Sequence, residues 1–304
     1  MIAVLFPGQG AQAPGMLDAW LEVDEVASHL RALSDATATD VIAHGTTSDA
    51  DTIRDTAIAQ PLLVATGIAT ARAVLGGVTP GVVAGHSVGE LGAAALAGVI
   101  DDATAMSLVT VRANAMAQAA TAAEPTSMAA VLGGVEQEVL DRLEQLGLTP
   151  ANMNGGGQIV AAGAKAGIEA LVAEPPTRAR VIELQVAGAF HTSYMEPAVA
   201  SLAAAAAEVT AADPTAALLS NADGATVASG ADALERIVRQ VASPVRWDLC
   251  QERMLALGVT GIIEVAPGGV LTGLAKRSLK GVPAVALKSP DDLPAARELL
   301  EQHA

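Results

Sequence analysis

Residues 82–90 read Val-Val-Ala-Gly-His-Ser-Val-Gly-Glu. An apolar run leads into Gly85-x-Ser87-x-Gly89, and an Ala/Leu-rich stretch follows. The spacing predicts a strand, a sharp turn and a helix, with Ser87 at the tip as a nucleophile. Glycine is needed at both flanks, because a Cβ there would meet the neighbouring backbone. The unpaired N–H groups of the helix start could stabilise a developing oxyanion. The same residues permit a plainer reading. Ser87-x-x-Glu90 has the form of a capping box, in which the hydroxyl merely starts a helix.

A serine nucleophile needs a base, and the chain offers His29, His44, His86, His191 and His303. His86 adjoins Ser87, and adjacent side chains at such a turn diverge. His29 and His44 lie in polar stretches, and His303 is next to last. His191 follows an expected strand and lies downstream of the serine, the chain order of α/β-hydrolase sites. A structural histidine is the alternative at that position. Ala105, Leu108, Val109, Arg112 and Met116 share one helix face at 3/4 spacing. An arginine within an apolar stripe needs a partner, because its desolvated charge is costly. That partner is either an internal carboxylate or the carboxylate of a substrate, held by the guanidinium fork.

Composition narrows the classes. Net charge is −16, which argues against nucleic acid or an anionic membrane as the main partner. Hydrophobic residues make up 51% but aromatics 2%, so the core must be close-packed Ala, Val, Leu and Ile. Cys250 is alone, which excludes an internal disulfide, disfavours a thiolate metal cluster and reads as a core thiol. No signal segment is expected. The longest apolar run is placed at 91–100, too short to cross a bilayer, so a cytoplasmic, membrane-free protein is expected.

Ile2–Phe6 reads as a buried strand ending in Pro7-Gly8-Gln9-Gly10. Gly8-x-Gly10-x-x-Ala13 imitates a dinucleotide fingerprint, but Pro14-Gly15 interrupts the helix that a pyrophosphate needs. What remains is a tight loop at a strand's C-terminal end, either a plain turn or half of an oxyanion hole. Gln60-Pro61 is expected to open an apolar helix through residue 75, with proline in its first turn. Residues 125–188 give strand, helix, strand, strand, helix, strand, the order of a ferredoxin-like unit. Ser193-x-x-Glu196 is expected to cap a helix running to about 212. Residues 216–219 and 284–287 read as strands. Pro244-Val245-Arg246-Trp247 is expected to begin a helix. The fold class is α/β: a large α/β-hydrolase-like domain with a parallel-sheet core (1–124 and 189–304), plus an inserted ferredoxin-like subdomain (125–188).

Phe6-Pro7-Gly8-Gln9-Gly10, Gln60-Pro61, Gly85-His86-Ser87-Val88-Gly89-Glu90, Arg112, Gly188-Ala189-Phe190-His191 and Glu264-Val265-Ala266-Pro267-Gly268-Gly269 occur in an informative order. The set resembles the malonyl-CoA:acyl carrier protein transacylases of type II fatty acid synthesis, essentially end to end. The resemblance implies Ser87 as nucleophile and His191 as base and then acid. It implies backbone N–H groups of Gln9 and Val88 in the oxyanion hole, and Arg112 on the malonyl carboxylate. Gln60 would be a supporting polar residue. Gln240 would orient His191 through its backbone carbonyl, its side chain mattering little. Phe190 resembles the malonyl-preferring form of related synthase domains. Malonyl-CoA and holo acyl carrier protein are the implied substrates, with no cofactor and no metal, and the chain is expected to act as a monomer. Carrier proteins of this pathway are acidic, as this chain is. Docking is therefore expected to use local basic patches, either Lys276, Arg277 and Lys280 or Arg178 and Arg180. Three alternatives remain: a malonyltransferase of a polyketide or malonate decarboxylase system, a serine thioesterase or esterase, and a silent carrier-docking scaffold.

Overall fold

The computed structural model describes residues 1–122 and 124–303. In chain order the main elements are β1 (Ile2–Phe6), α1 (Asp24–Asp35), α2 (Val41–Thr46), α3 (Thr56–Leu75), β2 (Val82–Gly85), α4 (Gly89–Leu96) and α5 (Asp102–Ala122). There follow β3 (Thr126–Gly133), α6 (Glu136–Gln145), β4 (Thr149–Gly155), β5 (Gln158–Ala164), α7 (Lys165–Ala173), β6 (Ala179–Glu183) and α8 (Glu196–Ala207). The last third holds β7 (Ala217–Leu218), α9 (Gly230–Gln240), β8 (Val245–Arg246), α10 (Trp247–Ala256), β9 (Gly261–Glu264), α11 (Val270–Ser278), β10 (Ala284–Ala286) and α12 (Leu293–His303).

Five strands form a parallel sheet in the order β10-β9-β1-β2-β7. Every residue of β1 and β2 is buried, as expected of strands covered on both faces. Phe6 pairs with Gly85, and the His86 N–H extends the pairing to the Phe6 carbonyl at 2.9 Å. The loop after β1 and the turn after β2 therefore lie side by side at the C-terminal edge of the sheet. Open α/β sheets bind ligands at that edge.

The second sheet runs β6-β3-β5-β4-β8. Its first four strands are antiparallel neighbours and are connected through α6 and α7. β8 comes from outside residues 125–188 and pairs parallel with β4, Asn152 opposite Val245 and Met153 opposite Arg246. It replaces the expected start of a helix at Pro244. α10 begins only at Trp247.

Four local expectations change. α3 starts at Thr56, because the Asp55 carboxylate accepts the Ala57 N–H at 2.8 Å. Pro61 thus stands inside the helix, where it forfeits one backbone hydrogen bond. α3, and not 91–100, is the long apolar element. It is long and apolar enough to cross a bilayer, but 89% of that stretch is buried within the protein, as in a core helix. The Ser193-x-x-Glu196 box does not form. The Thr192 hydroxyl caps a short 3-10 turn (Ser193–Met195), and α8 begins at Glu196 and ends at Ala207. β7 shrinks to two residues.

The turn between β2 and α4 leaves no room for side chains at its glycines. A Cβ on Gly85 would collide with the backbone of Gly89 and Glu90, and one on Gly89 with the Phe6 carbonyl. Gly85→Ala is expected to destabilise the protein by about 3 kcal/mol or more. Gly273→Ala, in exposed helix with nothing within 4 Å of the new Cβ, is expected to change stability by less than about 1 kcal/mol. Urea unfolding of both variants measures the difference. Equal effects would show that the turn has space to spare.

Candidate active site

Ser87 occupies the turn between β2 and α4 with φ at +53°, and His191 follows the second sheet with φ at +62°. Left-handed backbone is uncommon away from glycine and is held by surrounding contacts. At Ser87 the contacts are specific. Its N–H donates to Asn221 Oδ1 at 2.8 Å, and its carbonyl accepts from Gln240 Nε2 at 3.1 Å. Asn221 Nδ2 donates to the Gly85 carbonyl at 2.7 Å. The Ser87 hydroxyl does not cap α4, so the capping-box reading fails.

The hydroxyl instead meets His191, with Oγ 2.7 Å from Nε2. The Nδ1 of His191 lies 2.9 Å from the Gln240 carbonyl, which can only accept. The proton therefore sits on Nδ1, and Nε2 presents its lone pair to the serine. Burial pushes the imidazole pKa down to about 3, and the positive charge of Arg112 adds to the effect. The ring is neutral at pH 7, ready to take a proton. Alcohol, base and carbonyl orienter form a line without a carboxylate.

Arg112 is 1% exposed. Its Nη1 donates to Gln60 Oε1 at 2.7 Å and its Nη2 to Gln240 Oε1 at 3.0 Å, with Ser87 Oγ 3.4 Å away. Its Nε is buried without a hydrogen-bond partner. Among the described residues no carboxylate lies within 4 Å of the guanidinium. The internal salt bridge considered from the sequence is absent, and two neutral amide oxygens take its place. A buried cation held this way, beside a nucleophile, suits an anionic group on the substrate.

Ser87, His191 and Gln60 border a cavity of about 320 Å³, and Arg112 stands directly behind Gln60 and Ser87. Gln9, Gln60, Ser87, Phe190 and His191 are on its wall, while Met128, Asn152 and Val160 reach it from the second sheet. The Pro7–Gly10 loop is tight against the turn, since a Cβ on Gly8 would lie 2.8 Å from the His86 carbonyl. Val88 precedes the first residue of α4, directly after the serine. His86 does diverge from Ser87: its Nε2 meets Asn154 Oδ1 at 2.9 Å and its ring packs edge-on against Trp247. Among the described residues no cluster suited to a metal ion occurs. Cys250 is buried in the core, and burial pushes its thiol pKa up.

The sequence reading missed part of this arrangement. It treated the Gln240 side chain as unimportant, yet that amide bridges Arg112, the Ser87 carbonyl, Asn221 and the Glu90 carboxylate. Asn221 has no place in that reading, and Glu90 enters it only as the acid of a capping box and the end of the elbow motif. A lone carboxylate opening an alanine-rich helix was the available signal, for a buried acid must have partners.

A strand–turn–helix nucleophile with a histidine base defines an enzyme of acyl chemistry. The chain belongs to the acyl transferase domain family, whose model matches residues 4–292. Within it, a curated malonyl CoA-acyl carrier protein transacylase from Mycobacterium tuberculosis is 52% identical, over 96% of this chain and 98% of the relative. The crystal structure of MCAT from Mycobacterium tuberculosis superimposes with a TM-score of 0.93 at 51% identity, covering 98% of this chain and 99% of that one. A structure of a type II PKS acyl-carrier protein in complex with its malonyl-transacylase matches with a TM-score of 0.90 at 31% identity, over 98% of this chain and 99% of that one.

The low pKa of His191 has a kinetic consequence. The neutral imidazole is the active form, so acylation is lost only as pH falls through the depressed folded value. Acylation of Ser87 by a neutral donor, p-nitrophenyl acetate, is expected to stay level through pH 6.5, with its acid limb well below. Arg112→Met removes one cause of the depression, so the limb should move upward. Stopped-flow release of nitrophenolate against pH measures both. A limb at 6.5 in both proteins would contradict the electrostatic account.

Proposed function

We propose that the chain transfers the malonyl group of malonyl-CoA to the phosphopantetheine thiol of an acyl carrier protein through a malonyl-Ser87 intermediate. The observation that carries this reading is Arg112: a buried guanidinium with no carboxylate within 4 Å among the described residues, 3.4 Å from the nucleophilic oxygen. In the first step Ser87 Oγ attacks the thioester carbonyl and His191 Nε2 takes the hydroxyl proton. The Gln240 carbonyl stabilises the imidazolium through Nδ1. Backbone N–H groups of Gln9 and Val88 receive the oxyanion, each worth about 3 kcal/mol. CoA leaves as its thiol, protonated from His191. The carrier thiol then gives its proton to the same nitrogen and attacks malonyl-Ser87 in the reverse sense.

Arg112 pairs with the malonyl carboxylate throughout, contributing roughly 1.5–3 kcal/mol. A neutral acyl group would leave the guanidinium short of partners in a buried site, which disfavours it. Gln60 holds one arm of the guanidinium, and Phe190 bounds the acyl end of the cavity. The cavity lies between the parallel-sheet domain (1–124 and 189–304) and the smaller unit (125–188). We read the chain as a cytoplasmic monomer that uses no cofactor. We read the carrier as that of fatty acid synthesis; the names of the relatives specify an acyl carrier protein. The polyketide carrier in one neighbouring complex keeps that class of partner as a second reading.

Intact-protein mass spectrometry tests the core of this reading. Malonyl-CoA is expected to leave a malonyl-sized adduct that Ser87→Ala abolishes, acetyl-CoA to leave little, and holo carrier protein to discharge the adduct. Release of CoA without an adduct would favour a thioesterase. Lys276 and Arg277 are exposed on α11, the helix whose Val270, Leu271 and Leu274 reach the cavity. Reversing both charges is expected to raise KM for the carrier protein several-fold and leave the CoA half-reaction unchanged. Equal loss in the two half-reactions would move docking elsewhere.

A further inference from the structure

Glu90 is 4% exposed, at the start of α4. Its Oε1 accepts the backbone N–H of Asn221, and its Oε2 accepts from Gln240 Nε2. The other end of the same amide, Gln240 Oε1, accepts from Arg112 Nη2. A carboxylate is thus linked to the buried guanidinium through a single side-chain amide. We propose that Glu90 is a positioning residue for substrate choice: by fixing the Gln240 amide it orients and charge-balances Arg112, and so sets the preference for a carboxylated over a neutral acyl group. This rests on the reading that Arg112 receives the acyl carboxylate.

The polarity of the hydrogen bonds carries the argument. Arginine can only donate, so Gln240 must turn Oε1 toward Arg112. The Ser87 carbonyl can only accept, so Gln240 must turn Nε2 toward the elbow. The amide is locked between them and presents N–H to Glu90. Asn221 presents a backbone N–H, which cannot invert. Both oxygens of Glu90 therefore face donors, an arrangement that a carboxylate satisfies and an amide does not. Glutamine at position 90 would set its NH2 against one of the two N–H groups. Relief by flipping Gln240 would pass the donor–donor conflict on to Arg112.

Charge points the same way. Burial lowers the pKa of Arg112 to about 10, and Glu90 is the carboxylate that opposes the drop. Burial pushes the Glu90 carboxyl up to about 8 even though the Asn221 N–H and the Arg112 charge pull it down, and it is the two N–H donors facing its oxygens that favour the ionised form. Before substrate arrives, the nearest compensation for Arg112 runs along this amide. The Asn221 side chain also holds the elbow, at the Ser87 N–H and the Gly85 carbonyl, although its backbone N–H is itself bound by Glu90. Loss of the Glu90–Gln240 link should therefore weigh more on the acyl group's charge than on the nucleophile.

The test compares second-order rate constants for Ser87 acylation by malonyl-CoA and by acetyl-CoA, read by quenched intact-mass measurement on the full chain. Glu90→Gln is expected to lower the malonyl constant about 10- to 100-fold and the acetyl constant much less, so that their ratio falls at least about tenfold. Glu90→Asp, which keeps both acceptors, is expected to restore part of the ratio. Gln240→Met keeps the backbone carbonyl behind His191 but removes the amide link. It is expected to lower the ratio similarly and gives the readout should Glu90→Gln not fold. Arg112→Met is run beside them. If it abolishes the malonyl preference while the folded Glu90 or Gln240 variants keep the wild-type ratio, the proposal is overturned and the role of Arg112 stands. If Arg112→Met leaves the ratio unchanged, the underlying reading fails and the proposal fails with it. Equal loss for both donors, or failure of both variants to fold, would reduce the trio to a structural support.

Discussion

A permanently charged guanidinium sealed from water is the constraint around which this site is built. Desolvation of Arg112 is costly, and a direct carboxylate partner would neutralise it and leave nothing for a substrate. The chain instead surrounds it with the amide oxygens of Gln60 and Gln240. These satisfy hydrogen bonds without cancelling charge. Gln240 must then reach from α9 to α5, and its other end falls on the serine turn. The same residue's carbonyl orients His191. One side chain and its backbone thus connect nucleophile, base and anion site, so that none of the three can move independently.

Two of the three non-glycine residues with left-handed backbone among the described residues meet at the same place. Ser87 and His191 both adopt left-handed φ values, and each is held by residues far away in sequence. The sheet order explains how this is possible. β1 and β2 are neighbours, so the loop after one and the turn after the other share an edge. The loop leaving the second sheet brings His191 down onto that edge, where its ring reaches the serine at 2.7 Å. Preorganisation of this kind lowers the cost of positioning during reaction.

Much of this was legible in the chain itself. The elbow, the β-α-β-β-α-β order and the apolar stripe bearing Arg112 are local patterns with a physical meaning, and they point to the fold class and to the residues that converge around Ser87. What escaped was non-local. The start of α3 depended on an aspartate five residues before the Gln60 landmark. β8 is two residues long and exists because β4 offers an edge. The side chain of Gln240 was dismissed because its importance arises only when Arg112, Ser87 and Glu90 converge, from α5, the elbow and α4. Periodicity reports which face of a helix is buried, but not which polar groups will face one another inside.

The place of β1 has a consequence for how the protein is made. Its partner β2 ends at Gly85, while its other partner, β9, ends at Glu264, roughly 180 residues later. At typical translation rates that gap lasts about 10–40 s. Throughout it the most apolar strand of the parallel sheet has one edge without a partner. A nascent chain in that condition is a template for wrong pairing. The active-site edge acquires its final shape only when the last third of the chain arrives to close the sheet, so the enzyme's vulnerability during synthesis is written into its strand order.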